Sequence, residues 1–113
     1  MIRPAVAFAS SMLLFAVIGV GVANARKADK GDPAKGKEAF EQCQVCHNVD
    51  TDEKKMGPSL KGLFKRKTLQ NGKPVNDANV LAQINAGGNG MPAYGDMLSA
   101  DDKANLLAYL HTL

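Results

Sequence analysis

The sequence is short of the residues that most often carry chemistry. Its 113 residues include two cysteines, two histidines and no tryptophan, and aromatic residues make up only 5%. A structural zinc site takes four ligands, and Cys43, Cys46, His47 and His111 are all the cysteine and histidine available. His111 falls within the last three residues, a poor place for such a ligand. No run alternates in the way a strand does, and no internal repeat is present. The strand-rich setting expected of a thiol–disulfide redox pair is therefore missing. There is also no basic helix and no aromatic platform, which argues against nucleic-acid binding.

What cysteine there is sits in one place. Cys43-Gln44-Val45-Cys46-His47 is a C-x-x-C-H run, the attachment signature of c-type haem. The two thiols suit thioether formation with the two vinyl groups on one porphyrin edge, because two intervening residues put the sulfurs one helical turn apart. His47 follows directly, so its imidazole can turn under the ring and ligate iron on one face. One motif implies one haem. A thiol redox pair, half of a zinc site and a plain disulfide stand as alternative readings of the same cysteines.

The N-terminal 25 residues read as a segment apart. Arg3 supplies a positive start, an apolar run from Ala5 to Val22 follows, and Ala23-Asn24-Ala25 has the A-x-A form of a cleavage site. This is a secretory signal peptide cleaved after Ala25, with an uncleaved membrane anchor as the alternative. Export to a bacterial periplasm fits thioether attachment, which takes place outside the cytoplasm. Cleavage leaves residues 26–113, a single domain of 88 residues whose formal charge falls from +3 to +2. A core of that size is marginal without a staple, and a buried haem would serve as one. Lys61, Lys65, Arg66, Lys67 and Lys73 cluster in one stretch, the pattern of a solvated face.

Helical spacing predicts an all-α domain with three main helices and long loops. The first has Asp32 as N-cap and Pro33 as its first residue, and runs on through Gln44 with Gly36, Phe40 and Cys43 on one face. Residues 48–76 are broken by Gly57-Pro58, Gly62, Gly72 and Pro74, with room for a helical turn from Ser59 to Phe64. A second helix starts after Asp77 as cap, buries Val80, Leu81 and Ile84, and ends at Gly87. Residues 87–92 cannot be regular structure. The last helix starts at Ser99 with Asp102 completing a capping box, and Leu106, Leu107, Leu110 and Leu113 form its apolar face. Loops this long make sense if they wrap a flat cofactor.

A second axial ligand has four candidates. Met56 is nine residues past His47, too close to cross the ring edge easily. Met97 reads as core, and His111 reads as solvated at the end of the last helix. Met91 lies 44 residues past His47 in a glycine-rich loop, with Pro92 fixing the backbone after it, and is the preferred ligand. Met97 is next.

These residues together resemble a class I monohaem cytochrome c of the short bacterial type. The resemblance covers Gly31 to Leu113. Residues 31–40 are similar to the family's N-terminal helix, Leu106 and Tyr109 to the C-terminal helix that crosses it, and residues 90–95 to its methionine loop. Gly57-Pro58-Ser59-Leu60 resembles the family's G-P-x-L, which implies that the Pro58 carbonyl accepts a hydrogen bond from His47. Residues 62–68 resemble a stretch whose arginine lies near a haem propionate, which points to Arg66. Gln42 and Gly90 stand where the mitochondrial type carries lysines, so its docking ring is largely missing. The resemblance implies a class I cytochrome c fold wrapped around one haem c with His47 and Met91 on the iron. Such a protein is a monomeric periplasmic one-electron carrier, not an enzyme. It has transient redox-protein donors and acceptors, no small-molecule substrate, and membrane contact only if the N-terminal segment is retained.

Overall fold

The computed structural model describes residues 31–113. The segment read as a signal peptide lies outside the described residues. Among the described residues, three α-helices and one 3₁₀ turn make up the regular structure: α1 (Pro33–Phe40), the 3₁₀ turn (Leu63–Lys65), α2 (Asp77–Ala86) and α3 (Ala100–Leu110). Among the described residues, none of the helices is long and apolar enough to cross a membrane.

α1 starts where its sequence says it should. The Asp32 carboxylate accepts from Ala34 N, and Pro33 fills a first-turn position that needs no N–H. The regular helix closes at Phe40, four residues before the expected Gln44. The chain does not straighten there. It continues as tighter turns, with Cys43 N on Phe40 O at 2.8 Å, Cys46 N on Cys43 O at 3.1 Å and His47 N on Cys43 O at 3.0 Å. Three-residue closures alternate with four-residue ones, so the C-x-x-C-H run sits on an irregular, turn-like continuation of α1.

α2 is capped one residue earlier than expected. Asn76, not Asp77, accepts from Asn79 N, which leaves the Asp77 carboxylate in the first turn and free for another partner. Replacing Asn76 with alanine is expected to cost about 1 kcal/mol, measured as a lowered chemical-denaturation midpoint of the haem-loaded protein with an unchanged visible spectrum. Of the three apolar residues expected to face inward, Val80 and Ile84 are buried and Leu81 is half-buried. α3 has the full capping box, with Ser99 and Asp102 satisfying each other's backbone N–H.

The core forms where α1 and α3 cross. Gly36 and Phe40 are buried on α1, and Leu106, Tyr109 and Leu110 on α3. Phe40 and Tyr109 meet with ring centroids 5.3 Å apart and planes tilted by 52°, a favourable aromatic geometry. Asp32 N donates to Asn105 Oδ1 at 2.7 Å, tying the start of α1 to the same seam. Leu63 of the 3₁₀ turn and Val80 and Ile84 of α2 complete the buried cluster. Leu107 and Leu113 are half-buried.

Two short excursions read as loop are tight turns. Residues 67–75 fold back through a Thr68–Pro74 bridge, with Leu69 N on Lys73 O and Val75 N on Lys67 O. Residues 88–91 form a second. Gly88 and Met91 exchange both backbone hydrogen bonds, at 2.9 and 3.0 Å, across Asn89-Gly90. Asn89 and Gly90 have φ of 52° and 89°, the backbone an Asn-Gly pair adopts in a two-residue hairpin turn.

His111 is not merely solvated. Its Nε2 lies 2.6 Å from Asp77 Oδ1, and its ring stacks on Phe64 with centroids 3.6 Å apart. This joins the end of α3 to the start of α2 and the 3₁₀ turn.

Candidate functional site

Cys43 and Cys46 are both free and half-buried, on successive turns at the end of α1. Burial pushes the Cys43 thiol up from its ordinary value, and neighbouring Cys46 adds to the shift. A thiol–disulfide enzyme needs the opposite, a thiol shifted downward so that it attacks as thiolate. Among the described residues no group of three or more histidines, cysteines and carboxylates converges as a metal site would require. The first counts against a thiol redox pair and the second against a zinc site.

His47 is held by the loop that follows it. Its Nδ1 lies 2.7 Å from the Pro58 carbonyl oxygen. A carbonyl only accepts, so Nδ1 carries a proton, and it is Nε2 whose lone pair would be offered to a metal. Gly57 makes this approach possible. A Cβ at Gly57 would stand 2.8 Å from His47 Nδ1 and even nearer the ring carbon beside it, so any side chain there would push the imidazole away. Gly57 N in turn donates to Cys46 O at 2.8 Å, and Leu60 N to Asn48 O at 2.8 Å. The loop is thus bonded to the motif on both sides of Pro58.

Arg66 clamps the same loop. Its guanidinium donates to the Ser59 carbonyl at 3.0 Å and the Lys61 carbonyl at 2.6 Å. Ser59 is itself buried, and its hydroxyl donates to Thr51 O. Arg66 therefore braces the segment that presents Pro58 to His47.

Met91 is half-buried and packs against the core. Met56 and Met97 are 81% and 65% exposed. Met97, expected as core, instead follows a turn closed by its own N–H on Tyr94 O. Gly87, at the end of α2, brings the methionine loop close, since a Cβ there would strike the Met91 and Pro92 carbonyls. After Met91 the chain is pinned to α2 by Tyr94 N on Ile84 O and Gly95 N on Asn85 O. Burial pushes the Tyr94 hydroxyl pKa up, and the thiols of Cys43 and Cys46 are near enough to add to the shift. The methionine loop and the C-x-x-C-H turn thus border one region, while Val45 is 73% exposed and Gln44 and Ala93 are exposed at its margin.

Comparison with known proteins decides what this arrangement is. A family model described as "Cytochrome C oxidase, cbb3-type, subunit III" matches residues 31–110. The chain belongs to the class I monohaem cytochromes c. It is similar to cytochrome c6 of Diacronema lutheri, 32% identical over 71% of this chain and 94% of that protein. It is also 31% identical to cytochrome c2 iso-1 of Magnetospirillum molischianum, over 66% of this chain and 93% of that one. Among solved structures, cytochrome c6 of the diatom Phaeodactylum tricornutum superposes with a TM-score of 0.57 at 28% identity, covering 73% of this chain and 93% of that chain. The all-α class I fold and a covalently bound haem c follow from this membership. The donor set fits that group. Cys43 and Cys46 offer two thiols one turn apart, and His47 has one ring nitrogen occupied by Pro58 and the other available.

Proposed function

We propose that this cytochrome c is a periplasmic one-electron carrier in which His47 and Met91 are the axial ligands, Cys43 and Cys46 hold the haem, and Pro58 and Arg66 steady His47. The observation that carries the reading is the His47–Pro58 hydrogen bond of 2.7 Å. It fixes the imidazole's tautomer and makes it a stronger donor. Haem, when bound, supplies a ferric–ferrous couple.

The chain's own residues do the rest. Pro58, through its carbonyl, keeps His47 at one orientation in both oxidation states. Arg66 keeps the Pro58 loop from swinging by holding Ser59 and Lys61. Met91 would supply the second ligand to the haem iron, leaving no position for a substrate, and its thioether would favour the ferrous state. Gln44, Val45 and Ala93 form an exposed margin through which electrons pass to transient protein partners. Redox-protein donors and acceptors are the partners, the chain acts as a monomer, and it catalyses no reaction of its own. The 25-residue leader is removed on export.

A redox titration of the exported, purified protein with its visible spectrum recorded alongside tests this reading. A single reversible one-electron step, a red-end absorption band in the ferric form and no rapid binding of carbon monoxide are expected. High-spin iron that takes up carbon monoxide at once would instead indicate an open site, as in a gas sensor or haem catalyst. The description carried by the matching family model favours a second reading, a subunit that relays electrons inside a larger oxidase. Retention of residues 1–25 and co-purification in stoichiometric amount with membrane subunits would select it.

A further inference from the structure

We propose that Asn89 is a site of spontaneous deamidation, and that its conversion to isoaspartate lengthens the methionine loop and ends ligation by Met91. The second half rests on Met91 being the axial ligand; the first does not. The chain holds the Asn-Gly pair twice, at Asn71-Gly72 and Asn89-Gly90. In each, the residue after asparagine has no Cβ to shield its nitrogen, and both asparagines are exposed. By sequence the two pairs are equivalent. The fold makes them different.

The chemistry needs only water. The Gly90 nitrogen attacks Asn89 Cγ and gives up its proton, through solvent, to the leaving amide. The bond from Gly90 N to Cγ forms, the bond from Cγ to Nδ2 breaks, and ammonia departs from a five-membered imide. Water then opens the ring. Opening at Cγ gives aspartate. Opening at the main-chain carbonyl gives isoaspartate, whose chain runs through Cβ and Cγ and is one atom longer. One water enters, one ammonia leaves, and nothing is oxidised or reduced.

At Asn71 every reacting atom is held. Gly72 N, the nucleophile, donates to Leu69 O at 3.0 Å. The side-chain Oδ1 accepts from Lys73 N at 3.0 Å, and Nδ2 donates to Gln83 Oε1 at 3.4 Å. The Thr68–Pro74 bridge closes the turn below them. At Asn89 none of the same atoms has a partner among the described residues. Gly90 N makes no backbone hydrogen bond there, and the Asn89 amide makes none either. Ring closure requires rotation about the Cα–C bond of Asn89. Only the Gly88–Met91 pair of hydrogen bonds opposes it, and Asn89 leaves a left-handed φ of 52° in doing so. Opening of this turn is thus a local event that spares the core.

The product has a structural consequence. Gly88 and Met91 exchange both hydrogen bonds because two residues separate them, the length that a tight hairpin turn demands. An extra main-chain atom at position 89 breaks that match and adds a negative charge. Aspartate at the same place adds the charge alone. The turn that returns Met91 therefore carries its own chemical clock.

The test incubates the haem-loaded protein in warm, mildly alkaline buffer. Peptide mass spectrometry follows amide loss at both sites, and anion exchange separates the converted protein for its ferric spectrum. Asn89 is expected to convert at least about tenfold faster than Asn71, as the loss of two or three hydrogen bonds at the latter requires. The isoaspartate fraction should lack the red-end band. Asn89→Asp should begin with the band intact, and Asn89→Gly, which suits the turn and has no amide, should keep it throughout. Equal conversion at the two sites, faster conversion at Asn71 or none at Asn89 overturns the proposal. An isoaspartate fraction that keeps the band overturns its second half. A fresh parent without the band would instead fail the ligand assignment, while conversion at Asn89, read by mass, still supports the site.

Discussion

Replacing Gly36 with alanine is expected to cost more than about 4 kcal/mol, a range that single substitutions rarely reach. The sign runs against the usual rule. In an exposed helix interior, glycine to alanine gains roughly 0.5–1 kcal/mol, because alanine loses less backbone freedom on folding. Here the added carbon would fall on the backbone carbonyl of Asn105 and 2.7 Å from Tyr109 Cβ. Backbone cannot rotate aside as a side chain can, so α1 and α3 must separate. That separation opens the contact of Phe40, 1% exposed, with Leu106, 2% exposed. Overpacking a core that can adjust costs roughly 1–3 kcal/mol; the greater cost follows from losing the helix crossing itself. The expected result is a large fall in haem-loaded protein recovered and in the thermal midpoint of what remains. Lys37→Ala, one residue away and exposed, should stay within about 0.5 kcal/mol of the parent. Equal stability of the two variants would mean that the crossing is looser than described.

The second large effect is on potential. Met91→Ala is expected to abolish the ferric red-end band and lower the midpoint by at least about 0.1 V, a modest part of the roughly 0.8 V that axial ligation spans in haem proteins. The variant should also bind carbon monoxide, which is not expected of the parent. Met97→Ala is the control. Met97 is 65% exposed, so its loss should leave band and potential where they were. The reverse pattern would assign the ligand to Met97.

The parts of this molecule that could be read from the chain are those fixed by near neighbours. Asp32 and Pro33 start α1, and Ser99 and Asp102 start α3, because a cap and its partner lie within three residues. The offset at α2 is also local: Asn76 and Asp77 are both good caps, and nothing in the sequence ranks them. The Asn89-Gly90 turn carried a readable hairpin signal, but its glycine-rich flanks suggested only irregular chain. The pairing of His111 with Asp77 bridges 34 residues, and no periodicity reports it. Met97 seemed a core residue from its position before a cap, yet the chain turns it outward. Of the site, the C-x-x-C-H run is legible because attachment chemistry demands contiguous residues. Pro58 as partner of His47 came only from resemblance, since nothing in an eleven-residue separation says that the loop returns.

The α1–α3 seam also governs the order of events in making this protein. The hydrogen bond from Asp32 N to Asn105 Oδ1 links residues 73 apart, and Gly36 and Phe40 find their partners in the same late segment. A ribosome delivers α1 and the Cys43–His47 run long before it delivers residues 100–110. Through that interval α1 has no surface to bury itself on, and a lone eight-residue helix is too short to persist in water. The thiols that are half-buried in the finished fold thus travel on an open chain, reachable by whatever attaches the haem. Closure of the first helix by the last then marks the end of that window.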